Sequence, residues 1–390
     1  MWYHLAVHIF LKYGKETKKM KKRLLAVLLS AAMILSLGAC GNSNSNNTEN
    51  GNDKEVKQPS VTKLADYKDF SAVLKGNYEV TDAKVKSYFS NVVYSAGIGL
   101  VEVKDRTTVQ KGDIVKTDYK GFLNGEAFSG GEAKDQWIDV DNNCGVDVAT
   151  GDATGSFIDG FTNDLVGAKV GEKLNSYVTF PEKYGNADLA GKKTVVEFNV
   201  KAIYTELTPE TITDAMVKEH FEKSYKATTV ADFMEAIKKE LAYNLLVNYV
   251  IEKSTFDIPE SYLNYRLEQY QALFEALYCT KMSINEFLSY YYGTTLDKIK
   301  VEWASALQSQ IKAELVFEAI VKDSSLQTED KVLAEYVEEI KKTANSENGN
   351  KFFVEEENIY KMLGVGNVDT GKAYYLNQDT VRNYVMENYK

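Results

Sequence analysis

The sequence is poor in the residues that metal sites, disulfide frameworks and rigid linkers require. Its 390 residues include four prolines, three cysteines and three histidines. So little proline excludes a long proline-rich linker. Cys144 and Cys279 lie far apart in the sequence and allow at most one disulfide rather than a framework. His220 is the only histidine after residue 8, which argues against His-ligated metal sites and against Ser-His or Cys-His catalysis.

The charge balance is acidic, with 46 Lys and Arg residues against 56 Asp and Glu residues. Nucleic acid is therefore not expected as a partner, because its phosphates attract basic surfaces. The length predicts two or three domains and allows substantial hydrophobic cores.

The first 39 residues resemble a targeting sequence rather than a folded domain. A basic block over residues 18–23 precedes an apolar run over residues 24–38, which is short for a membrane span and typical of a signal-peptide core. The run ends in Leu37-Gly38-Ala39-Cys40, which resembles the lipobox of bacterial lipoproteins. That resemblance implies cleavage before Cys40, lipid on its sulfur, and an extracytoplasmic protein anchored to the cell membrane. The alternative is an ordinary secretory signal with an incidental cysteine. Met20 is interpreted as the true start.

Composition and predicted secondary structure divide the rest of the chain into several segments. Residues 40–60 are predicted to be a disordered polar tether, because they cannot bury a core. The following segments are predicted to be a connector with a helical centre (61–110), a strand-rich domain (111–206), a helical domain (207–342), and a linker with a C-terminal extension of two or three short elements (343–390). Helical spacing predicts helices over 231–250, 283–292, 296–321 and 329–342, with Pro259 at the first turn of another.

The strand-rich domain has one stretch with a clear pattern, from Gly155 to Tyr184. Ile158, Phe161 and Leu165 share one face of a predicted short helix, which Gly167 would end. A strand in strict alternation follows, with Leu174, Ser176, Val178 and Phe180 on one face and Pro181 at its end. Turns are predicted at Asn124-Gly125, Gly130-Gly131 and Gly185-Asn186.

The order of residues in this stretch closely resembles the FKBP-type prolyl isomerase domain, in the version found in trigger factor. The resemblance implies an α+β fold, with an FKBP-like antiparallel sheet wrapped on a short helix. The helical region is similar to the all-α C-terminal chaperone domain of trigger factor. The similarity includes Ile258-Pro259-Glu260, where one predicted helix ends and the next begins. We expect neither an equivalent of that family's ribosome-docking domain nor ribosome binding.

Isomerisation of an X-Pro bond needs no nucleophile, because the barrier of ~18–20 kcal/mol arises from amide resonance. An apolar pocket that strips water from the amide favours the twisted state. By the resemblance, the pocket residues are Tyr119, Phe128, Phe157, Ile158, Phe161, Tyr184 and Phe198. Tyr119 and Phe128 would be walls, Phe157 and Ile158 a rim whose backbone amide donates to the substrate carbonyl, and Phe161 the floor. The Tyr184 hydroxyl would bond substrate, and Phe198 would close the back.

The sequence also departs from that pattern. Ser129-Gly130-Gly131 replaces an aspartate common in the family, and the chain between Trp137 and Gly155 is longer than the usual loop. Trp137 is a weak candidate for a further pocket aromatic. The longer loop holds Asp139, Asp141, Asn143 and Asp147 at spacing close to a calcium loop, but Cys144 and Thr150 occupy positions that need Gly and Glu. A solvated acidic loop is the favoured interpretation, and no metal or cofactor is predicted.

Two functions remain open. One is a membrane-anchored foldase that isomerises X-Pro bonds in exported proteins, with unfolded or proline-containing polypeptides as partners. The other is a weak or inactive holdase that keeps the FKBP-like domain as a scaffold. A solute-binding lipoprotein is disfavoured, because no doubly wound α/β pattern is present. Aromatic residues abound in the helical region, and some of them are predicted to bind unfolded chain.

Overall fold

The computed structural model describes residues 56–279, 281–346 and 350–389. The predicted signal peptide, Cys40 and most of the predicted tether lie outside these residues. The chain divides into two compact units, one formed by the chain up to Val80 with Lys238–Lys390 and the other by Thr81–Ile237.

The described residues form a mixed α and β structure with a β-sheet domain and a C-terminal helical region. The strands are β1 (Ser60–Lys63), β2 (Leu100–Glu102), β3 (Ile114–Leu123), β4 (Glu126–Asp139), β5 (Cys144–Val146), β6 (Ala153–Ser156), β7 (Lys173–Thr179), β8 (Lys193–Glu206) and β9 (Thr255–Asp257). The helices are α1 (Phe70–Val73), α2 (Asp82–Ser95), α3 (Asp214–Tyr225), α4 (Val230–Lys253), α5 (Glu260–Tyr278), α6 (Ile284–Tyr292), α7 (Leu296–Asp323), α8 (Asp330–Asn345), α9 (Glu356–Leu363) and α10 (Val368–Asn388).

The unit Thr81–Ile237 is built on a seven-stranded sheet in the order β2-β8-β3-β4-β5-β6, with β7 also pairing with β8. All of these pairings are antiparallel. Burial alternates along β8 and over part of β3. Val115 and Thr117 on β3 are fully buried, as are Phe198 and Val200 on β8. One face of the sheet therefore carries the core of this domain.

The predicted helix through Ile158, Phe161 and Leu165 is wrong. The chain makes successive i→i+3 turns here, and the segment contains only the short 3₁₀ helix Asn163–Leu165. Gly160, at φ 83°, interrupts any helix that starts at Ile158, because an α-helix requires negative φ throughout. Phe161 and Leu165 are nevertheless buried in the core, so the apolar face was predicted correctly.

Two of the turns predicted from glycine-containing pairs have different outcomes. Asn124 and Gly125, both at positive φ, form the predicted two-residue turn between β3 and β4. Gly130-Gly131 is not a turn, because both glycines lie inside β4. The β3–β4 register passes from Lys120–Glu132 to Phe122–Ala127, so residues 128–131 bulge opposite Gly121 alone.

The other unit is helical, and its helices match the sequence expectations closely. Ser283 caps α6 with a capping box, and Pro259 occupies the N-cap position of α5. The segment before residue 81 joins this unit, where Tyr67 and Val73 share a core with Phe256 and Phe317. β1 pairs with β9, so the last residue assigned to the tether, Ser60, lies in a strand.

The C-terminal extension differs from the expected short elements. Its last helix, α10, has 21 residues and buries Tyr374, Val381 and Val385 in the same core as Phe317. Gly371 and several β-branched and polar residues make the segment a poor helix by propensity, so packing sustains it. Among the described residues, no helix is long and apolar enough to cross a membrane.

Candidate active site

A recess on the core face of the sheet brings most of the predicted site residues together. Its volume is about 340 Å³. The predicted residues that line it are Tyr119, Phe128, Phe157, Ile158, Phe161 and Tyr184. They come from two strands and two connecting segments, so the sheet and the turns around it jointly set their positions.

Three aromatic rings form the inner part of the recess, and a fourth lies behind them. The ring of Phe161 is stacked on Phe157, with centroids 4.4 Å apart, and meets Tyr119 edge to face at 5.2 Å. Phe198 does not line the recess. It is fully buried behind it, where its ring lies 5.1 Å from Phe161 and 6.0 Å from Tyr119. This places Phe198 at the back, the position given to it by the resemblance.

The opposite wall contains Phe128, Phe180 and Tyr184. The Phe180 ring lies 5.8 Å from Phe128 and 4.6 Å from Tyr184, in edge-to-face contact with both. Phe180 was not among the predicted site residues, although the strand alternation already assigned it to the same face as Val178. Both side chains line the recess. The alternation was thus a signal from which Phe180 could have been identified.

Several hydrogen-bond donors of the lining residues have no partner in the described part of the chain. The backbone N–H of Ile158 bonds to no other described residue, and neither does the hydroxyl of Tyr119 or Tyr184. Ile158 and Tyr119 are half-buried, and Tyr184 is 39% exposed. These groups can therefore bind the carbonyl oxygens of a peptide that enters the recess.

The lining carries no formal charge, because it contains no Asp, Glu, Lys, Arg or His from the described residues. Burial raises the pKa of Tyr119 above its ordinary value of 10, so its hydroxyl stays protonated at neutral pH. An uncharged aromatic recess with a few donors fits an extended apolar peptide segment. It offers no general base or nucleophile for a hydrolytic reaction.

Trp137 does not belong to the recess, contrary to its weak candidacy. Its indole packs on the ring of Tyr204 at 4.5 Å, and Lys116 lies over it at 5.8 Å. Trp137 pairs with Lys116 on β3, whose side chain points away from the buried face of Val115 and Thr117. The strand register thus places Trp137 on the outer face of the sheet.

The acidic side chains of the longer loop bind their own backbone. Asp139 accepts hydrogen bonds from the amides of Asp141 and Asn142, and Asp147 accepts one from Ala149. Within the described ranges, no group of three or more His, Cys, Asp or Glu side chains is arranged to hold a metal ion. The loop itself forms the β5–β6 hairpin, and Asn143 stands at its open end.

Two family profiles match the chain. Residues 105–203 match the FKBP-type peptidyl-prolyl cis-trans isomerase family, and residues 215–364 match the C-terminus of bacterial trigger factor. The first match covers the sheet domain with its recess, and the second covers helices α3 to α9.

Individual proteins that are similar to this chain include several trigger factors. The trigger factor of Clostridium beijerinckii is 30% identical over 289 residues, covering 70% of this chain and 62% of that protein. The trigger factor of Bacillus cereus is 32% identical over 292 residues, covering 72% of this chain and 64% of that protein. The chain thus spans 62–64% of the length of these relatives. A solved trigger factor chaperone structure aligns at 15% identity and a TM-score of 0.27, covering 85% of this chain and 79% of that one.

Proposed function

We propose that this chain, whose segments match the FKBP-type isomerase family and the trigger factor C-terminus, works as a trigger factor-like, membrane-anchored foldase. In this proposal the recess accelerates cis/trans isomerisation of X-Pro bonds in exported polypeptides, and the helical unit binds their unfolded segments. The lipid on Cys40 holds the protein at the outer side of the cell membrane.

One observation carries the enzymatic part of the proposal. Tyr119, Phe157, Phe161 and Tyr184 enclose a single uncharged recess. Ile158, whose backbone N–H has no partner among the described residues, also lines it. An apolar enclosure lowers the cost of twisting the X-Pro amide, since the twisted state is less polar than the planar one. A donor at the rim holds the substrate carbonyl during the rotation. Each ~1.4 kcal/mol of preference for the twisted state gives a tenfold rate increase.

The test is a comparison of two tyrosines that lie in or beside β7. Tyr184→Phe removes only the hydroxyl that faces the recess, and we expect it to lower kcat/KM on a short X-Pro peptide about three- to tenfold. Tyr177→Phe is the matched control, because Tyr177 is 77% exposed and does not line the recess. Equal activity of the two variants would remove the hydroxyl of Tyr184 from the proposal. No catalysis by the unmodified chain would reject the isomerase function.

The location is proposed from the sequence around Cys40. In a bacterial host the full chain is expected to sediment with membranes and to incorporate radiolabelled palmitate. Cys40→Ser should do neither, whereas Cys279→Ser, which changes a half-buried cysteine of the helical unit, should do both. Palmitate uptake by Cys40→Ser would reject lipidation at this position. Two acyl chains are enough for durable anchoring.

The second candidate function is a holdase without significant isomerase activity. It is favoured by Ser129, which lines the recess where an aspartate is common in the resembled family. A holdase would suppress aggregation of an unfolded client and leave the exchange rate of the peptide unchanged. Measuring both quantities on the same preparation separates the two functions.

A further inference from the structure

Asn143, at the open end of the β5–β6 hairpin, is bonded to the rim of the recess by its main chain and its side chain. Its backbone oxygen accepts from the amide of Phe157 at 2.9 Å. Its side-chain nitrogen Nδ2 donates to the backbone oxygens of Phe157, at 3.3 Å, and Ile158, at 3.0 Å. Asn143 is outside the lining of the recess, whereas Phe157 and Ile158 are part of it.

These contacts fix the peptide plane that carries the unpaired donor. The oxygen of Phe157 and the N–H of Ile158 belong to the same peptide group, and in a planar trans peptide they point in opposite directions. Asn143, which does not line the recess, binds the oxygen, so the opposite side of the peptide group, with its N–H, is left to the recess that Ile158 lines. A hydrogen bond to the oxygen also polarises the group and makes its N–H a stronger donor.

We propose that Asn143 is a positioning residue, which aims and strengthens the Ile158 amide that binds the substrate carbonyl. This inference rests on the proposed isomerase function. It gives the longer loop a role, since β5 and β6 place the asparagine behind the rim. The carboxamide nitrogen carries two N–H bonds and can donate to both carbonyl oxygens at once, which a carboxylate cannot do.

The simpler explanation is that asparagine occupies position 143 only because the backbone there is left-handed, with φ 50°. Asparagine tolerates this conformation better than most residues. The chain offers a matched control in Asn124, which has φ 53° in the β3–β4 turn. The side chain of Asn124 makes no hydrogen bond to the rest of the described chain, so it shares the backbone conformation but not the contacts with the rim.

The experiment compares Asn143→Asp and Asn124→Asp in the full chain on a short X-Pro peptide at neutral pH. Asn143→Asp replaces the donor by an acceptor that repels both carbonyl oxygens. We expect kcat to fall about tenfold with KM nearly unchanged, because the amide acts mainly as the bond twists. Asn124→Asp should keep wild-type kinetics. If Asn143→Asp fails to fold, Asn143→Gly removes the side chain without backbone strain and should show the same loss of kcat.

A second measurement tests the positioning of the Ile158 amide separately from catalysis. In the full chain labelled with ¹⁵N-isoleucine, the Ile158 amide resonance should shift downfield when the peptide is added, and the shift should be lost in Asn143→Asp. An active wild type whose Asn143 variants keep full kcat and the shift would overturn the inference and leave the proposed function standing. An inactive wild type would reject the proposed function, and the inference would then stand or fall on whether the peptide-induced shift depends on Asn143.

Discussion

The ring of Phe128 lies against the bare backbone of Gly121. A Cβ built on Gly121 would stand 2.3 Å from Cζ of Phe128, and one on Gly131 would stand 2.3 Å from its Cε2. The two glycines thus form a slot for the ring between β3 and the bulge of β4. The slot holds Phe128 against Phe180 and keeps it in the wall of the recess.

Gly121→Ala is expected to push the Phe128 ring out of this slot and to lower kcat/KM about tenfold. The strain should cost about 1–3 kcal/mol of stability, the usual range for overpacking a filled site. Peptide isomerisation and urea unfolding measure the two effects. The φ of Gly121 is not in the left-handed region, so an alanine there meets the ring rather than backbone strain.

A double-mutant cycle tests the mechanism of that loss. If Gly121→Ala acts through the ring, adding it to Phe128→Ala should change kcat/KM little, because the ring is already absent. Additive losses would mean that Gly121 acts through some other contact.

The pH dependence of the reaction should be flat. With no Asp, Glu, Lys, Arg or His from the described residues in the lining, protonation of the recess does not change between about pH 6 and pH 9. Burial raises the pKa of Tyr119, so loss of its proton comes only above the ordinary value of 10, and activity should decline on that alkaline side. A bell-shaped kcat/KM profile centred near neutrality would contradict this account of the site.

The helical unit depends on a buried ion pair between Arg266 on α5 and Glu314 on α7. Arg266 is fully buried, and its guanidinium donates to both carboxylate oxygens of Glu314 and to the backbone oxygen of Gly364. Arg266→Met should reduce the free energy of unfolding by about 3–5 kcal/mol, because it leaves the Glu314 carboxylate buried without its partner.

The paired variant Arg266→Met/Glu314→Leu should recover much of that loss in urea unfolding followed by circular dichroism. Replacing both charges by apolar groups removes the desolvation penalty together with the attraction. A paired variant less stable than Arg266→Met would show that other contacts of Glu314, such as the hydrogen bond from Gln310, dominate. Peptide isomerisation should be unchanged in both variants, because Arg266 and Glu314 do not line the recess.

The sequence predicted the parts of the fold that local patterns determine. Ser283 and Pro259 marked helix starts, and the alternation through Ser176, Val178 and Phe180 marked the buried side of β7 and its end. It failed where a distant partner decides the conformation. Gly130-Gly131 is typical of a turn, but the pairing of β4 with β3 makes it a bulge. The long helix α10 is sustained by core packing that no local pattern reveals.

The site was predicted in a similarly uneven way. The resemblance supplied residues such as Tyr119 and Phe161, which the structure brings into one recess, while their roles in catalysis stay predictions. Trp137 was misplaced because its face depends on the register with Lys116. The contact of Asn143 with Phe157 and Ile158 spans 14 and 15 residues across a hairpin, so it was visible only in three dimensions.

The most direct test of the central claim is the exchange rate between the cis and trans forms of a short peptide with an apolar residue before proline, measured by NMR with and without the full chain. The account predicts that catalytic amounts of the chain accelerate exchange and that Phe161→Ala, which removes the ring between Tyr119 and Phe198, abolishes the acceleration. An exchange rate unchanged by the folded wild-type chain would contradict it.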